Sequence, residues 1–393
     1  MKYRKMGNLD VEVSALGFGA MRLPIIDDDS ANIDQEEAIK MIRYGIDNGI
    51  NYVDTAWPYH QGESENVVGR ALKDGYREKV YLATKLPVWE CESKEDLDKY
   101  LDKQLEKLQV EKIDFYLLHA LNAERWQKIK ELDILKWGEK KKEEGKIEYL
   151  GFSFHDSPEV FNTILDGYDW DFCQIQYNYL DTEYQAGKAG LQKAHDKGMG
   201  VVIMEPIRGG WLAQEPPQSA KELFESENPE RTPVEWALHW VWSQKEPGVV
   251  LSGMSNMQQL KENLETASES EVGLLSESEF EMMEKAAEEM RGPITCTRCE
   301  YCLPCPEGVN IPENFHLFNQ AKLLDKGEEM AEKYFELDET ARASNCVECG
   351  QCETQCPQNL SIIELLKEVD QYCLLYTSPS PRDISGSRMP SSA

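Results

Sequence analysis

NYVDTAWPYHQGESE (residues 51–65), VYLATK (80–85) and DFYLLH (114–119) carry the pattern on which the fold turns. Each contains a short run of apolar, β-branched or aromatic residues that reads as a buried strand, and each run stops at a polar residue: Asp54, Lys85 and His119. Working outward, the same kind of run recurs as SALGFG from Ser14, YLGFS from Tyr149, FCQIQ from Phe172, GVVIM from Gly200 and VVLSG from Val249, which makes eight. The stretches between them have helical period. In EEAIKMIRYGIDNG (36–49), Ala38, Ile39, Ile42 and Ile46 recur at helical spacing and Gly49 suits a C-terminal cap. Eight strand-then-helix units over about 250 residues are what an α/β fold of the (β/α)8 TIM-barrel type requires. The alternative, an open doubly wound sheet, normally carries a Gly-rich phosphate loop after its first strand, and SALGFGAMRL lacks the G-x-G-x-x-G spacing. A hairpin over residues 3–13 is expected to precede the barrel. An acidic helix over 277–291 is expected to end it, giving a first domain of residues 1–291.

Beyond Arg291 the character of the chain changes. Eight of its 11 cysteines fall in two tight runs, Cys296/Cys299/Cys302/Cys305 followed by Pro306, and Cys346/Cys349/Cys352/Cys356 followed by Pro357. A C-x2-C-x2-C run lets three thiolates converge on one cubane, and in two-cluster ferredoxins the fourth, proline-followed cysteine ligates the other cluster. By that rule Cys296, Cys299, Cys302 and Cys356 hold one [4Fe-4S] centre, and Cys346, Cys349, Cys352 and Cys305 hold the second. The first run has two residues before its fourth cysteine where the bacterial pattern has three; the second run fits fully. Zinc is the competing metal, because C-x2-C pairs also build four-cysteine zinc sites, but the repeated short segment with its trailing proline favours iron and sulfur. Between the runs, residues 310–344 have strong helical character. Residues 292–373 are therefore expected to form a small, mostly α-helical, ferredoxin-like domain whose clusters fill the core that so short a segment lacks. Cys91, Cys173 and Cys373 read as ordinary thiols of strands and helices.

Composition narrows the classes further. The net charge is −30, with carboxylates spread through the helical stretches, so nucleic-acid binding, which needs a basic surface, is disfavoured. Such a surface suits solubility or docking to a basic redox partner. No charged-then-apolar leader precedes Tyr3 and no apolar run approaches the roughly 20 residues of a membrane span, so no membrane association and a reducing cytoplasmic location are expected. From Leu374 the sequence turns abruptly to Ser, Pro and Arg, so residues 374–393 read as a disordered or artefactual tail.

Asp54 and Tyr59 after the second run, Lys85 at the end of the third and His119 at the end of the fourth stand where a barrel carries its catalytic groups. With these residues, and with the motifs NYVDTAWPYHQGESE, LATKLP and DFYLLHA, the chain resembles the aldo-keto reductase family over residues 1–291, and more narrowly the subgroup that carries a C-terminal ferredoxin-like domain. The resemblance implies a carbonyl reductase using NADPH or NADH, with a small aldehyde or ketone as substrate. The residue types fit that chemistry. Reducing a carbonyl by hydride needs a proton donor at the oxygen; a free phenol is a poor one at neutral pH, and Lys85 beside Tyr59 would lower its pKa while Asp54 keeps Lys85 charged. His119 would orient the substrate oxygen. Singly, Asp54 suits a loop cap and Tyr59 or His119 a wall residue; together the four point to a site.

The resemblance further implies that Ser153 and Gln174 hold the nicotinamide carboxamide, with Phe154 standing where the family has Asn. Met204 takes the place of the stacking aromatic residue, and Glu262 and Asn263 match adenosine contacts. Gly253 and Gln259 stand where cations commonly grip a 2′-phosphate. Nicotinamide delivers electrons in pairs whereas clusters pass them singly, so two expectations stand side by side: the clusters exchange electrons with an external ferredoxin or flavoprotein electron carrier, or they are structural and position a lid or interface near the barrel mouth. The loops at 89–93 and 211–228 look apolar enough to accept a hydrophobic carbonyl.

Overall fold

Short apolar strands that cannot face water on either side need a layer of helices around them, and the barrel supplies it. The computed structural model describes residues 1–27 and 29–376. β1 (Tyr3–Lys5) and β2 (Glu12–Ser14) form an antiparallel hairpin with Tyr3 opposite Ser14. The barrel follows: β3 (Leu16–Gly19), β4 (Tyr52–Asp54), β5 (Tyr81–Leu86), β6 (Ile113–Leu121), β7 (Ile147–Phe154), β8 (Phe172–Gln176), β9 (Gly200–Met204) and β10 (Val249–Ser252). All pair in parallel, and β10 returns to β3 with Leu251 opposite Gly17, which closes the ring. Ser14, read above as the start of the first barrel strand, instead ends the hairpin; its hydroxyl donates to the Leu16 carbonyl at the turn between the two.

The hairpin plugs the N-terminal end of the barrel. Its Met6, Val11 and Val13 pack with Tyr52, Phe115, Phe172 and Val202 from the strands. Phe115 is the centre of this layer, with ring centroids 5.0 Å from Tyr149 and Phe172, 5.2 Å from Tyr52 and 5.9 Å from Tyr81. At Gly151 on β7 a Cβ would meet the Phe172 ring at 2.6 Å, so only glycine lets that ring lie flat against the strand. The outer helices follow their sequence signals: Gln35–Asp47 is capped by Asp34 accepting from the Glu37 N–H and buries Ala38, Met41, Ile42, Gly45 and Ile46, and Gly49 beyond it takes φ 98°.

Packing divides the chain into two units, the first comprising 1–215 and 224–284 and the second 216–223 together with 285 onward. The division falls inside the helix Glu277–Glu289, ahead of the boundary expected at Arg291, and Ser219 donating to Glu289 ties the 216–223 segment to the second unit. That unit is built on the helices Ile311–Leu323, Gly327–Glu336 and Ile362–Leu375, whose Phe315, Phe318, Tyr334, Leu366 and Val369 form one core. Buried Asn314 cross-links it, donating to the carbonyls of Asn310 and Ala341 and accepting from the Ala343 N–H. The helix Ile362–Leu375 buries Ile362, Leu366, Val369 and Cys373 at helical spacing and includes Leu374 and Leu375, the first residues of the segment expected as a tail; 377–393 of that segment lie outside the described residues. Among the described residues no helix is long and apolar enough to cross a membrane.

All nine tryptophans lie between Trp57 and Trp242, so tryptophan fluorescence reports on the first unit alone. Replacing Phe115 by Ala removes the centre of the lower aromatic layer and is expected to lower barrel stability by about 3–5 kcal/mol, read as a shift in the denaturant midpoint followed by tryptophan emission.

Candidate active site and cluster-binding loops

Barrel closure brings four separated sequence positions to one end. Asp54 ends β4, Lys85 is the penultimate residue of β5, His119 lies near the end of β6, and Tyr59 opens the short 3-10 turn Tyr59–Gly62 that follows β4. The fully buried Lys85 ammonium spends its three donors on Asp54 Oδ1 at 2.7 Å, Asp54 Oδ2 at 2.8 Å and the Thr55 carbonyl at 2.7 Å. Burial pushes the Asp54 pKa up and the Lys85 pKa down, while their mutual attraction and hydrogen bonds favour both charged forms. Lys85 Nζ lies 4.8 Å from the centre of the Tyr59 ring. The His119 ring stands edge-on to Tyr59 at 6.1 Å between centroids, and Trp89 also packs on His119 at 5.1 Å. Burial, and then the positive charges of Lys85 and Arg125, hold the His119 pKa well below that of a free imidazole, so the ring is neutral at physiological pH.

Two backbone irregularities set these side chains in place. The β6–β7 ladder breaks between Leu118 and Leu121, with Ala120 at φ 51°, so a bulge sits directly beside His119. The Ala120 N–H donates to Ser153 Oγ at 2.7 Å, and the Ala120 carbonyl accepts from Arg125 at 2.6 Å. Tyr59 is followed by two left-handed residues, His60 at φ 54° and Gln61 at φ 52°, each costing roughly 1–2 kcal/mol relative to ordinary helical backbone. The loop is held by the His60 ring, whose Nδ1 donates to the Ser30 carbonyl at 2.7 Å while Nε2 accepts from the Leu23 N–H at 3.0 Å.

The expected nucleotide contacts fall into two groups. Gln174 and Met204 meet, with Gln174 Nε2 donating to the Met204 sulfur at 3.5 Å, and Ser153 is the registered neighbour of Gln174 across the β7–β8 pair. Buried Gln174 Oε1 has no hydrogen-bond partner among the described residues, a vacant acceptor suited to a carboxamide N–H. Phe154 is fully buried with its ring 5.0 Å from Phe161 of the helix Pro158–Leu165; His155 follows, buried and bonded to Gln185 Oε1 at 3.2 Å. At the other group, Asn263 turns inward to donate to Ser252 Oγ at 3.0 Å, whereas Glu262 stays at the surface, bonded to Gln258. Gln259 accepts from the Ser255 N–H. A Cβ on Gly253 would meet the aliphatic stem of Arg22 at 3.2 Å, so this arginine, which sequence reading missed, packs against that position; a lone Arg just after the first barrel strand was its only signal. Of the two loops read as apolar, 89–93 puts Trp89 beside His119 under the Arg125 guanidinium, and 211–228 is largely the helix Gln218–Glu227.

In the second unit the two cysteine runs share one backbone design. Arg298 (φ 56°) and Glu300 (φ 65°) flank Cys299, and Glu348 (φ 58°) and Gly350 (φ 75°) flank Cys349. Left-handed residues on both sides of the middle cysteine curl each run into a concave nest of N–H groups, the kind of surface that receives anionic clusters. Three of the four are not glycine, so this conformation is held against its intrinsic cost. The Arg298 N–H reaches Cys296 Sγ at 3.4 Å, and the N–H groups of Gln358, Asn359 and Leu360 point to the Cys356 sulfur. Cys296, Cys299 and Cys302 line one hollow together with Cys356 of the other run, walled by Ile311, Phe315, Leu360 and Ile362. Buried Gln358, donating to Thr297 Oγ1 at 3.0 Å, ties the two runs together there. The donor set and the crossover therefore fit a cluster. Of the remaining cysteines, Cys173 and Cys373 are buried in β8 and the last helix, and Cys91 is buried in the loop after β5.

Comparison with known proteins places these features. Residues 15–288 match the Aldo/keto reductase family and residues 295–361 match a 4Fe-4S dicluster domain. The chain is similar to "Probable aldo-keto reductase 1" of Glycine max, 29% identical over 296 residues that cover 66% of this chain and 82% of that protein. It is 25% identical over 311 residues to the NADH-specific methylglyoxal reductase of Escherichia coli K12, covering 67% of this chain and 93% of that one. Among solved structures, the holo form of aldo-keto reductase AKR11C1 from Bacillus halodurans superposes with a TM-score of 0.61 at 30% identity, covering 73% of this chain and 96% of that chain. A closed parallel barrel with this sequence match, followed by two nested cysteine runs, makes the chain an oxidoreductase that belongs to the aldo/keto reductase family and carries a 4Fe-4S dicluster domain.

Proposed function

We propose that the barrel reduces an aldehyde or ketone to the alcohol, with Tyr59 as the proton donor. The observation that carries this reading is the buried Lys85 ammonium, fixed by Asp54 and Thr55 and lying 4.8 Å from the Tyr59 ring beside neutral His119. A nicotinamide dinucleotide, NADH or NADPH, supplies the hydride when bound. Gln174 Oε1, Ser153 Oγ and the Met204 thioether are the groups that would hold its nicotinamide end, and Glu262 and Asn263 are those that would meet its adenosine end.

The carbonyl oxygen becomes negative as the carbon accepts hydride, and the Tyr59 hydroxyl gives it a proton. The phenolate left behind is stabilised by the Lys85 charge, which Asp54 keeps in place. His119, already neutral, offers a hydrogen bond to the same oxygen without competing for its proton, and Trp89 and Arg125 shape the wall beside it. In the second unit, Cys296, Cys299, Cys302 and Cys356 would hold one [4Fe-4S] cluster and Cys305, Cys346, Cys349 and Cys352 the other; such clusters supply single-electron transfer.

Four measurable outcomes follow. Tyr59→Phe is expected to lower kcat for carbonyl reduction by about 10²-fold or more with little change in KM, as steady-state nucleotide oxidation would show; unchanged turnover would remove Tyr59 from the mechanism. Because His119 is neutral, the pH profile of kcat/KM should have no inflection at the ordinary imidazole value of about 6.5. Stability, by contrast, should depend on pH: His155 is lowered from 6.5 to about 4, so the unfolded chain binds more protons as pH falls through that window, and about 3 kcal/mol present above pH 6.5 is lost on acidification. An inflection near 6.5 that disappears in His119→Gln would overturn the neutral assignment. Finally, protein purified without oxygen should contain about eight irons per chain with visible cluster absorbance, whereas stoichiometric zinc in colourless protein would defeat the cluster reading.

A further inference from the structure

Beside the proposed catalytic groups stands a cation to which proton and hydride transfer give no task. Arg125 lies in the first turn of the helix Ala123–Glu131, where its backbone N–H donates to the Asn122 side chain at 2.8 Å. That cap fixes the residue just after β6, the strand that carries His119. The side chain is fixed as well: Nη1 donates to the Ala120 carbonyl at 2.6 Å, and the guanidinium lies 4.8 Å over the Trp89 ring. Trp89 packs on His119 at 5.1 Å, so cation and imidazole share one aromatic neighbour. Arg125 and Trp89 are both half-buried, so water and solutes reach them.

The field at this wall runs against that of the whole chain. The net charge is −30, yet the charges that act on His119 are led by Lys85 and Arg125, both positive, and Arg125 also acts on His155. Lys85 is matched by Asp54 at 2.7 Å. Lys128 adds a further positive group, donating to the Trp89 carbonyl at 3.1 Å. Acidic side chains of the adjoining loops are turned to other donors: Glu90 accepts from the Tyr100 hydroxyl at 2.8 Å, and Asp156 accepts from the Ala123 and Ser157 N–H groups. A guanidinium matches a carboxylate in shape and charge, and stacking on an aromatic face holds it ready for one.

We infer that the carbonyl substrate is an oxo acid, and that Arg125, stacked on Trp89 beside His119, receives its carboxylate. This rests on the proposed carbonyl reduction and names the substrate class for it. With the carbonyl oxygen at Tyr59 and His119 and the carboxylate at Arg125, the spacer between them is a short hydrocarbon one lying by the Trp89 ring. The carboxylate itself is unchanged. Two electrons pass with the hydride from the nucleotide to the carbonyl carbon, a C–H bond forms as the C=O π bond opens, the oxygen takes the Tyr59 proton, and a hydroxy acid is released. A neutral analogue fills the same space without the ion pair, and that difference sets the discrimination.

The test follows nucleotide oxidation by the full chain with succinate semialdehyde and with its methyl ester, which keeps the carbonyl and removes the charge. The acid is expected to be preferred about tenfold in kcat/KM, and Arg125→Gln to lower that acid-to-ester ratio by about tenfold, mostly through the KM of the acid. Arg125→Lys, which keeps the charge and loses the planar fork, should restore part of the ratio. A chain that reduces acid and ester alike, or an Arg125→Gln variant that slows both by one factor, overturns the carboxylate contact alone and leaves Arg125 as a prop for the bulge at Ala120. No nucleotide oxidation with either compound overturns the carbonyl reduction, and the inference with it.

Discussion

The Lys85–Asp54 ion pair is the constraint around which the barrel mouth is arranged. An ion pair with both partners buried is not there for stability, since taking two charges out of water costs several kcal/mol that a well-packed apolar pair would avoid. Removing either partner alone would strand a charge, at about 3–5 kcal/mol. Its placement depends on strand register: Asp54 pairs with Ala83, so Lys85, two residues along β5, lies just above the carboxylate. Behind β5 a second set of buried bonds fixes that register. Gln104 donates to the Lys85 carbonyl at 3.0 Å and to Glu65 Oε1 at 2.7 Å, Thr84 donates to the same Glu65 oxygen, and Tyr116 donates to Gln104 Oε1. Glu65 and Tyr59 come from the same segment, so one stretch of chain anchors the lysine's strand from the helical side and presents the phenol on the other.

Some of the barrel's left-handed backbone lies where the chemistry is proposed, the rest at places such as Asp74, Gln109, Asp133 and Arg208. His60, Gln61 and Ala120 all have positive φ, none is glycine, and each is within two residues of Tyr59 or His119. Such backbone persists only when neighbouring groups over-determine it. Here His60 is bonded through both ring nitrogens, and the bulge at Ala120 is bonded through both its N–H and its carbonyl. Ser153 thus already accepts one hydrogen bond in fixing His119, which leaves its hydroxyl proton for a ligand.

Much of this architecture was legible in sequence because it is periodic or because it sits at strand ends. Eight apolar runs alternating with helical ones dictate the barrel, and Asp54, Lys85 and His119 close three consecutive runs. What periodicity does not carry is loop conformation. Nothing in the letters SFH says that a bulge on the neighbouring strand will take the Ser153 hydroxyl, or that the Phe154 ring will pack on Phe161. Arg22 meets Gly253 only through ring closure between β3 and β10, a contact more than 200 residues apart in sequence, and Asn263 turns inward because Ser252 at the end of β10 offers it a buried acceptor. In the cysteine runs spacing was informative, because it fixes which thiols can converge, whereas the left-handed residues beside Cys299 and Cys349 were not, since only Gly350 announces its conformation.

The cysteine runs also bear on what a cluster domain is for. If both clusters served only to fill the core of a small helical unit, the best place for each would be a dry hollow, because burial of apolar surface is what stabilises such a unit. The first run meets that requirement, with Phe315, Ile311 and Ile362 packed around it. The second does not: it exposes Val347, which burial would favour, and leaves Cys349 at the surface. Two conformationally similar loops therefore differ in how much apolar burial each can add to the helical unit. The residues proposed for hydride chemistry lie apart from both loops in sequence, Asp54, Lys85 and His119 on β4, β5 and β6 and Tyr59 in the turn after β4.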